Sequence, residues 1–233
     1  MKREGEVRDY FTRDAKRFDN IYGEGLQRNP IQRLVDALFR RRELRQRTEM
    51  CLRGAGGARR VLEVGCGSGR VAVALARAGV EHVTGIDLSD EMCRLARQLA
   101  ERLGQADRCR FVCASAEAYE TDEPFDAVVA MGVFDYVADP VAMLARLRRL
   151  SGGRLVASFP RRRMLLNLPR RLWLKTKRCP VYFYGRRTVE DLMRGAGLEL
   201  IEVWPIGHPP LVASFVAVGR VPGGTDAASD SQG

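Results

Sequence analysis

The sequence is poor in the residues that build metal centres. It has two histidines, His82 and His208, and neither stands near a cysteine at a ligand spacing. No zinc site is expected on that basis, and no metal is expected at all. The six cysteines, Cys51, Cys66, Cys93, Cys109, Cys113 and Cys179, form no C-x-x-C pair. A chain of 233 residues can bury a core without covalent staples, so they read as reduced thiols. Long apolar runs are missing too. The longest, Leu211 to Val218, is interrupted by Ser214 and falls far short of the roughly 20 residues a membrane-spanning helix needs. The opening MKREGEVRDYF is followed by no apolar segment, which gives the expectation of no secretory signal and a cytoplasmic chain. Acidic residues are absent from one stretch, Arg161 to Arg187, which holds ten arginines and lysines. That equals the net charge of +10, so the basic excess is local. A smaller basic run, RRRELRQR, lies at 40–47.

What is present fits one domain with attachments. Hydrophobic residues make up 45% and charged residues 29%, which excludes a wholly disordered chain. No period of 20 to 50 residues appears, so repeat architectures are excluded. The first 30 residues are polar with interleaved Tyr10, Phe11, Phe18 and Tyr22. Asn29 and Pro30 then open a helix expected to run to about Cys51 and to stop at Gly54, Gly56 and Gly57. From residue 60 short apolar runs alternate with helical patterns, the signature of a parallel sheet with crossover helices. Strands are expected at 60–64, 82–87, 109–114, 125–131 and 154–159, with helices at about 69–78, 89–103 and 140–150. Ser89 and Asp139 are the expected caps of the last two helices. A fourth helix is expected from Thr188, as its cap, to Gly195. Strands at 198–204 and 211–218 complete the sheet, and the tail from 219 reads as disordered.

The most specific feature is VLEVGCGSGR at 61–70, a strand running straight into Gly65-Cys66-Gly67-Ser68-Gly69 and then a helix. Glycines permit the tight turn and let a ligand approach the backbone, while the helix start offers unpaired N–H groups. A second strand ends in Asp87, 22 residues after Gly65, where a carboxylate can accept hydrogen bonds from ribose hydroxyls. A dinucleotide fingerprint would need its third glycine at position 70, and Arg70 stands there.

The pattern E-x-G-x-G-x-G from Glu63 to Gly69 resembles the first motif of the class I S-adenosylmethionine-dependent methyltransferases, and the resemblance covers roughly residues 60–160. It implies a Rossmann-like α/β fold, a seven-stranded sheet with helices on both faces. It further implies S-adenosylmethionine as cofactor, with Gly65, Cys66, Gly67, Ser68 and Gly69 beneath its methionine part. Asp87 and Leu88 would stand at the ribose, Ser115, Ala116 and Glu117 at the adenine, and Met131, Gly132 and Val133 beside the cofactor after the fourth strand. The family often has Asp where Ser115 stands, and serine supplies no charged acceptor there. Glu63, in an apolar strand, needs a partner, either the cofactor's amino group or a backbone donor. Cys66 serves as a small turn residue with no nucleophilic role. Tyr10 or Tyr22 would touch the cofactor if the N-terminal segment folds over it, as it often does in the family; stapling the first helices to the core is the other reading.

Residues 1–55 thus read as an N-terminal helical cap, 56–218 as the cofactor-binding domain, and 219–233 as a tail. The basic stretch 161–187 falls where this family elaborates an acceptor-binding lid. Its leucines and arginines suit an anionic substrate, an anionic membrane surface or a phosphate backbone; equally, the leucines pack on the core and the arginines are solvated. Candidate general bases are Asp135, just past the fourth strand, and His208, in a GHPP turn that also suits a purely structural role. Tyr182, Phe183 and Tyr184 are candidates to line the acceptor pocket. The expected function is methyl transfer to a small-molecule acceptor, anionic or membrane-associated, of quinone or tetrapyrrole type. The alternatives are an RNA or protein methyltransferase, or a non-catalytic cofactor- or nucleic-acid-binding module.

Overall fold

The computed structural model describes residues 41–162, 181–207 and 214–224. Five helices and seven strands lie in these residues: α1 (Arg41–Ala55), β1 (Arg60–Val64), α2 (Arg70–Arg77), β2 (His82–Asp87), α3 (Asp90–Arg102), β3 (Cys109–Cys113), β4 (Phe125–Ala130), α4 (Pro140–Leu150), β5 (Ser151–Pro160), α5 (Arg186–Gly195), β6 (Glu199–Ile206) and β7 (Ser214–Arg220). The sheet order is β3-β2-β1-β4-β5-β7-β6. Strands β1 to β5 are parallel, and β7 runs antiparallel between β5 and β6.

Side chains alternate across the strands, so each strand feeds two cores. In β1, Val61 joins the layer built with Cys51 of α1, Leu75 of α2 and Cys93 of α3, while Leu62 and Val64 join the layer with Leu144 of α4 and Val189 of α5. Helices therefore cover both faces, as the family resemblance implied. α3 starts at Ser89, whose hydroxyl accepts the Met92 N–H at 3.3 Å. α4 starts at Asp139, whose carboxylate accepts the Ala142 N–H at 3.0 Å, with Pro140 in the first turn.

Five local expectations are corrected. α1 continues through Gly54 and ends only before Gly56 and Gly57, both at positive φ. A Cβ on Gly54 would meet Val156 Cγ2 at 2.8 Å and Val218 Cγ2 at 3.1 Å, so this glycine brings the helix close to the sheet instead of ending it. The fifth strand begins at Ser151, directly after α4, because Gly152 and Gly153 are absorbed in a register shift opposite Phe125 and Ala127. α5 starts two residues before Thr188, with Gly185 as its cap, so Thr188 lies inside the helix. β6 and β7 each run two residues beyond their expected ends, to Ile206 and Arg220, and pair along their length. The tail expected from 219 is corrected at its start, where Gly219 and Arg220 belong to β7 and Val221 donates its N–H to the Gly153 carbonyl at 2.8 Å; its remainder from 225 and the helix start expected at Asn29 fall outside the described residues.

Candidate cofactor-binding and active site

The strand order reverses at β1, which has β2 on one side and β4 on the other. In an open α/β sheet such a switch point leaves a crevice at the carboxyl ends of the strands. The loop Gly65–Gly69 enters it from β1. Gly65 and Cys66 both donate their N–H to the Ile86 carbonyl, at 2.8 and 3.0 Å, and Gly69 donates to the Cys66 carbonyl at 2.9 Å. Gly65, Gly67 and Gly69 have φ of +69°, +51° and +77°, the left-handed region that disfavours a side chain. Their surroundings differ. A Cβ on Gly65 would lie 2.7 Å from Val133 Cγ2, and one on Gly69 2.8 Å from Ala96 Cβ. At Gly67 such an atom would meet nothing within 4 Å. Packing thus requires two of the glycines, and the third keeps open space at the crevice.

Asp87 closes the other side of that space. Its Oδ2 accepts the Gly67 N–H and its Oδ1 accepts the Ser89 N–H, both at 2.9 Å. Burial pushes this carboxyl above its ordinary range, and N–H groups of Ser89, Gly67 and Leu88 pull against that. A carboxylate oxygen has two lone pairs, so each retains acceptor capacity for a hydroxyl. An open glycine cradle, a helix start and a carboxylate with acceptor sites left fit a nucleoside carrying an amino-acid tail.

Glu63 is 3% exposed, and its carboxyl takes an N–H from Ala72 in the first turn of α2. Of the two partners considered for it, the structure supplies the backbone donor. Its Oε2 has no partner among the described residues, and burial pushes the carboxyl up to about 8. Cys66 shares a hydrogen bond with Cys93, and that bond, with burial, pushes its thiol up. A buried, protonated thiol is no nucleophile, in accord with its reading as a turn residue.

The rim beyond β3 carries the residues expected at the adenine. The Ser115 hydroxyl accepts the Ala118 N–H at 3.2 Å, and its carbonyl accepts the Tyr119 N–H at 3.0 Å, so Ser115 shapes its own turn. Ala116 is buried and Glu117 exposed. At the end of β4, Met131 and Gly132 are half-buried, and Gly132 donates its N–H to Ser158 Oγ at 2.8 Å. Leu88 and Ser68 are also half-buried.

On the acceptor side, Asp135 is 7% exposed and its carbonyl accepts the Tyr182 N–H at 2.8 Å. Tyr184 donates its hydroxyl to the Phe134 carbonyl at 3.1 Å and packs edge-on against Phe159 at 5.3 Å. Burial, then the nearby Asp135 and Tyr182, pushes its phenol up to about 12. Tyr184 is therefore a core residue, and of the three aromatic candidates Tyr182 and Phe183 remain partly exposed. Tyr10, Tyr22, His208 and residues 163–180 of the basic stretch lie outside the described residues.

Two residues that sequence reasoning missed stand at this site. Ser158, a hydroxyl within the apolar run RLVASFP, carried the same signal as Glu63, a polar group where burial is costly. Arg146, in the middle of α4, carried none.

Residues 61–151 match a family model described as a methyltransferase domain. The chain is 40% identical over 101 residues to the ubiquinone biosynthesis O-methyltransferase of Xylella fastidiosa strain 9a5c, covering 42% of this chain and 41% of that protein. It is 41% identical over 93 residues to the protein of the same description in Paracidovorax citrulli, covering 40% and 39%. The chain thus matches about two-fifths of the length of these curated relatives. Among solved structures it is similar to magnesium protoporphyrin IX methyltransferase from Synechocystis PCC 6803 with bound S-adenosylhomocysteine, with a TM-score of 0.75 and 21% identity over 94% of this chain and 99% of that one. It is also similar to 1,6-didemethyltoxoflavin-N1-methyltransferase of Burkholderia thailandensis, with a TM-score of 0.67 and 17% identity over 96% and 89%. These likenesses show the fold.

Proposed function

We propose that this chain, which carries a methyltransferase domain of the class I S-adenosylmethionine-dependent family, transfers a methyl group from S-adenosylmethionine to a small-molecule acceptor. The observation that carries the reading is the pairing of the open space at Gly67 with the Asp87 carboxylate across it. Gly65–Gly69 would hold the methionine part, Asp87 and Leu88 the ribose, Ser115, Ala116 and Glu117 the adenine, and Met131 and Gly132 the edge near the sulfur. The cofactor, when bound, supplies an electrophilic methyl on sulfonium, so the protein's task is alignment and exclusion of water. Asp135 stands past the end of β4, where a carboxylate can take the proton of an acceptor hydroxyl. His208 is the second candidate for that role.

The activities for which these relatives are named favour an acceptor of quinone or tetrapyrrole type. The ten basic residues of 161–187 support an anionic acceptor or contact with an anionic membrane surface, in a cytoplasmic protein with an N-terminal cap over 1–55 and a cofactor-binding domain over 56–218. No helix among the described residues is long and apolar enough to cross a membrane.

Calorimetry with S-adenosylhomocysteine, followed by transfer of labelled methyl to a catechol-type quinone precursor and to a carboxylated porphyrin, tests the reading. Binding in the micromolar range and label in one of the two acceptors is expected. Absence of binding would remove the cofactor assignment, and binding without transfer to either would remove the acceptor class. Asp135→Asn should lower turnover on a phenolic acceptor about 100-fold with cofactor affinity unchanged. Loss of affinity instead would make Asp135 a structural residue. Sedimentation with vesicles containing anionic lipid, at low and high salt, tests the surface contact.

A further inference from the structure

The rim that follows β3 is tied down at both ends. Ala114 donates its N–H to the Asp87 carbonyl at 3.0 Å, which fixes the rim to the strand that bears the ribose-side carboxylate. The other end is held by one side chain of α4, a helix that packs in the same layer as Ala116. Arg146 donates from Nε to the Ala116 carbonyl at 3.0 Å, and from one terminal nitrogen to the Tyr119 carbonyl and to Glu120 Oε1, the last at 2.9 Å. The Arg146 side chain is 14% exposed, whereas that of Glu120 is 78% exposed, so the two carbonyls are the substantial partners and the ion pair is peripheral.

The chemistry of the rim makes this attachment matter. Ser115 provides no charged acceptor, and its hydroxyl oxygen already receives the Ala118 N–H. Glu117 is exposed. Selection of a nucleobase at this rim then draws on the backbone edge and the shape of residues 115–117. Such recognition holds only if the backbone is kept in place before the ligand arrives. A guanidinium is the side chain suited to that task, because its planar fork reaches two carbonyls in fixed directions, which an ammonium cannot do.

We propose that Arg146 is a positioning residue for the nucleobase of the cofactor, acting from α4 by fixing the carbonyls of Ala116 and Tyr119. The inference rests on the cofactor-site reading given above. It assigns base selectivity to a residue that touches no part of the ligand.

The test is calorimetry on the full chain with S-adenosylhomocysteine and its inosine counterpart, in which the 6-amino group of the base is replaced by oxygen, beside hydrogen exchange of the amides at 116–120. Arg146→Ala should weaken S-adenosylhomocysteine about tenfold or more, reduce the preference for adenine over the inosine analogue, and speed exchange across 116–120. KM for the cofactor should rise while kcat at saturation stays within twofold. Arg146→Lys should restore neither the affinity nor the preference, and Glu120→Ala should lie within twofold of the parent in both. If Arg146→Ala proves poorly folded, Arg146→Gln and Arg146→Lys carry the same comparison. Unchanged base preference in a folded Arg146 variant that has lost affinity, or full recovery by lysine, overturns the proposal and leaves Arg146 a packing residue. Failure of the unsubstituted chain to bind either ligand overturns the cofactor reading itself, a separate result visible before any variant is made.

Discussion

The two halves of the sheet use different materials. From β1 to β3 the site is made of backbone: three glycines at positive φ, N–H groups pointing at the Ile86 carbonyl and the Asp87 carboxylate, and a rim held by its carbonyls. Past β4 it draws on residues from remote positions, with Asp135 from the loop after β4 beside Tyr182 from the basic stretch. A backbone site is shaped by the residue types that permit its conformation, and it tolerates no added atoms. A side-chain site is free to change its chemistry while the scaffold stays the same. On the proposed function, the same contrast would separate a half that recognises the cofactor from one that fits a particular acceptor.

The strongest way to break this comparison is to add one carbon to the backbone half. Gly69→Ala combines a left-handed φ with a contact of 2.8 Å to Ala96 Cβ and 3.1 Å to its Cα. Strain and overpacking together should cost about 4 kcal/mol. Thermal unfolding should show a midpoint roughly 10 °C lower. Gly67→Ala meets no neighbour, so only the φ penalty of about 1 kcal/mol applies to folding. Its methyl would stand where the ligand approaches, and affinity for S-adenosylhomocysteine should fall about 100-fold. If Gly67→Ala binds normally, the open space at this glycine is not the ligand's place.

Glu63 offers a pH-dependent version. Its carboxyl, raised to about 8 in the fold and near 4.5 when unfolded, keeps its proton in the native state while the unfolded chain releases it. Stability is therefore undiminished below about pH 4.5 and is lost as pH rises towards 8, where the loss is complete. Glu63→Gln imitates the protonated form and should remove that loss. Denaturation across pH 5 to 9 should show the variant matching the parent at the acid end and exceeding it by on the order of 3 kcal/mol at the alkaline end. A constant difference at all pH values would show that the carboxyl is ionised throughout.

Asp87→Asn should come next, with about a 30-fold loss of S-adenosylhomocysteine affinity, close to 2 kcal/mol. The amide retains one oxygen for the Gly67 or Ser89 N–H, so the loop should survive and the loss should fall on the ligand. An equal loss of affinity and thermal stability would instead make Asp87 a loop brace.

How much was legible follows the same division. The glycines, Asp87 and the strands at 60–64 and 82–87 are contiguous signals whose chemistry is fixed by local conformation, and each was readable. The caps Ser89 and Asp139 were readable for the same reason. Gly54 misled, because a glycine in a helix looks like a stop until the valines of two distant strands are seen against it. Thr188 misled because a capping pattern recurs inside a helix that starts two residues earlier. Tyr184 read as pocket lining because it stands in one aromatic run with Tyr182 and Phe183, whereas its hydroxyl is satisfied by the buried Phe134 carbonyl. Arg146 had no signal at all, since an arginine in an amphipathic helix looks solvated unless its carbonyl partners are known.

Ser158 lies on the seam between the halves and gives the finest test. It belongs to β5, on the acceptor side, yet its hydroxyl receives the N–H of Gly132, which has φ +81° and stands on the cofactor side. A hydroxyl 2% exposed has few other partners, so Ser158→Ala leaves that N–H without its acceptor and costs about 1 kcal/mol. Because Gly132 is expected beside the sulfur end of the ligand, affinity for S-adenosylhomocysteine should fall only a few-fold. The larger consequence should be in turnover, since small displacements of reacting atoms are costly to an in-line transfer. Cofactor binding and kcat measured together on this one variant then separate the two materials. A fall in both by the same factor would mean that Gly132 contributes as part of the cradle. A fall in kcat alone would mean that the backbone half is complete without β5, and that Ser158 serves the alignment between the two substrates.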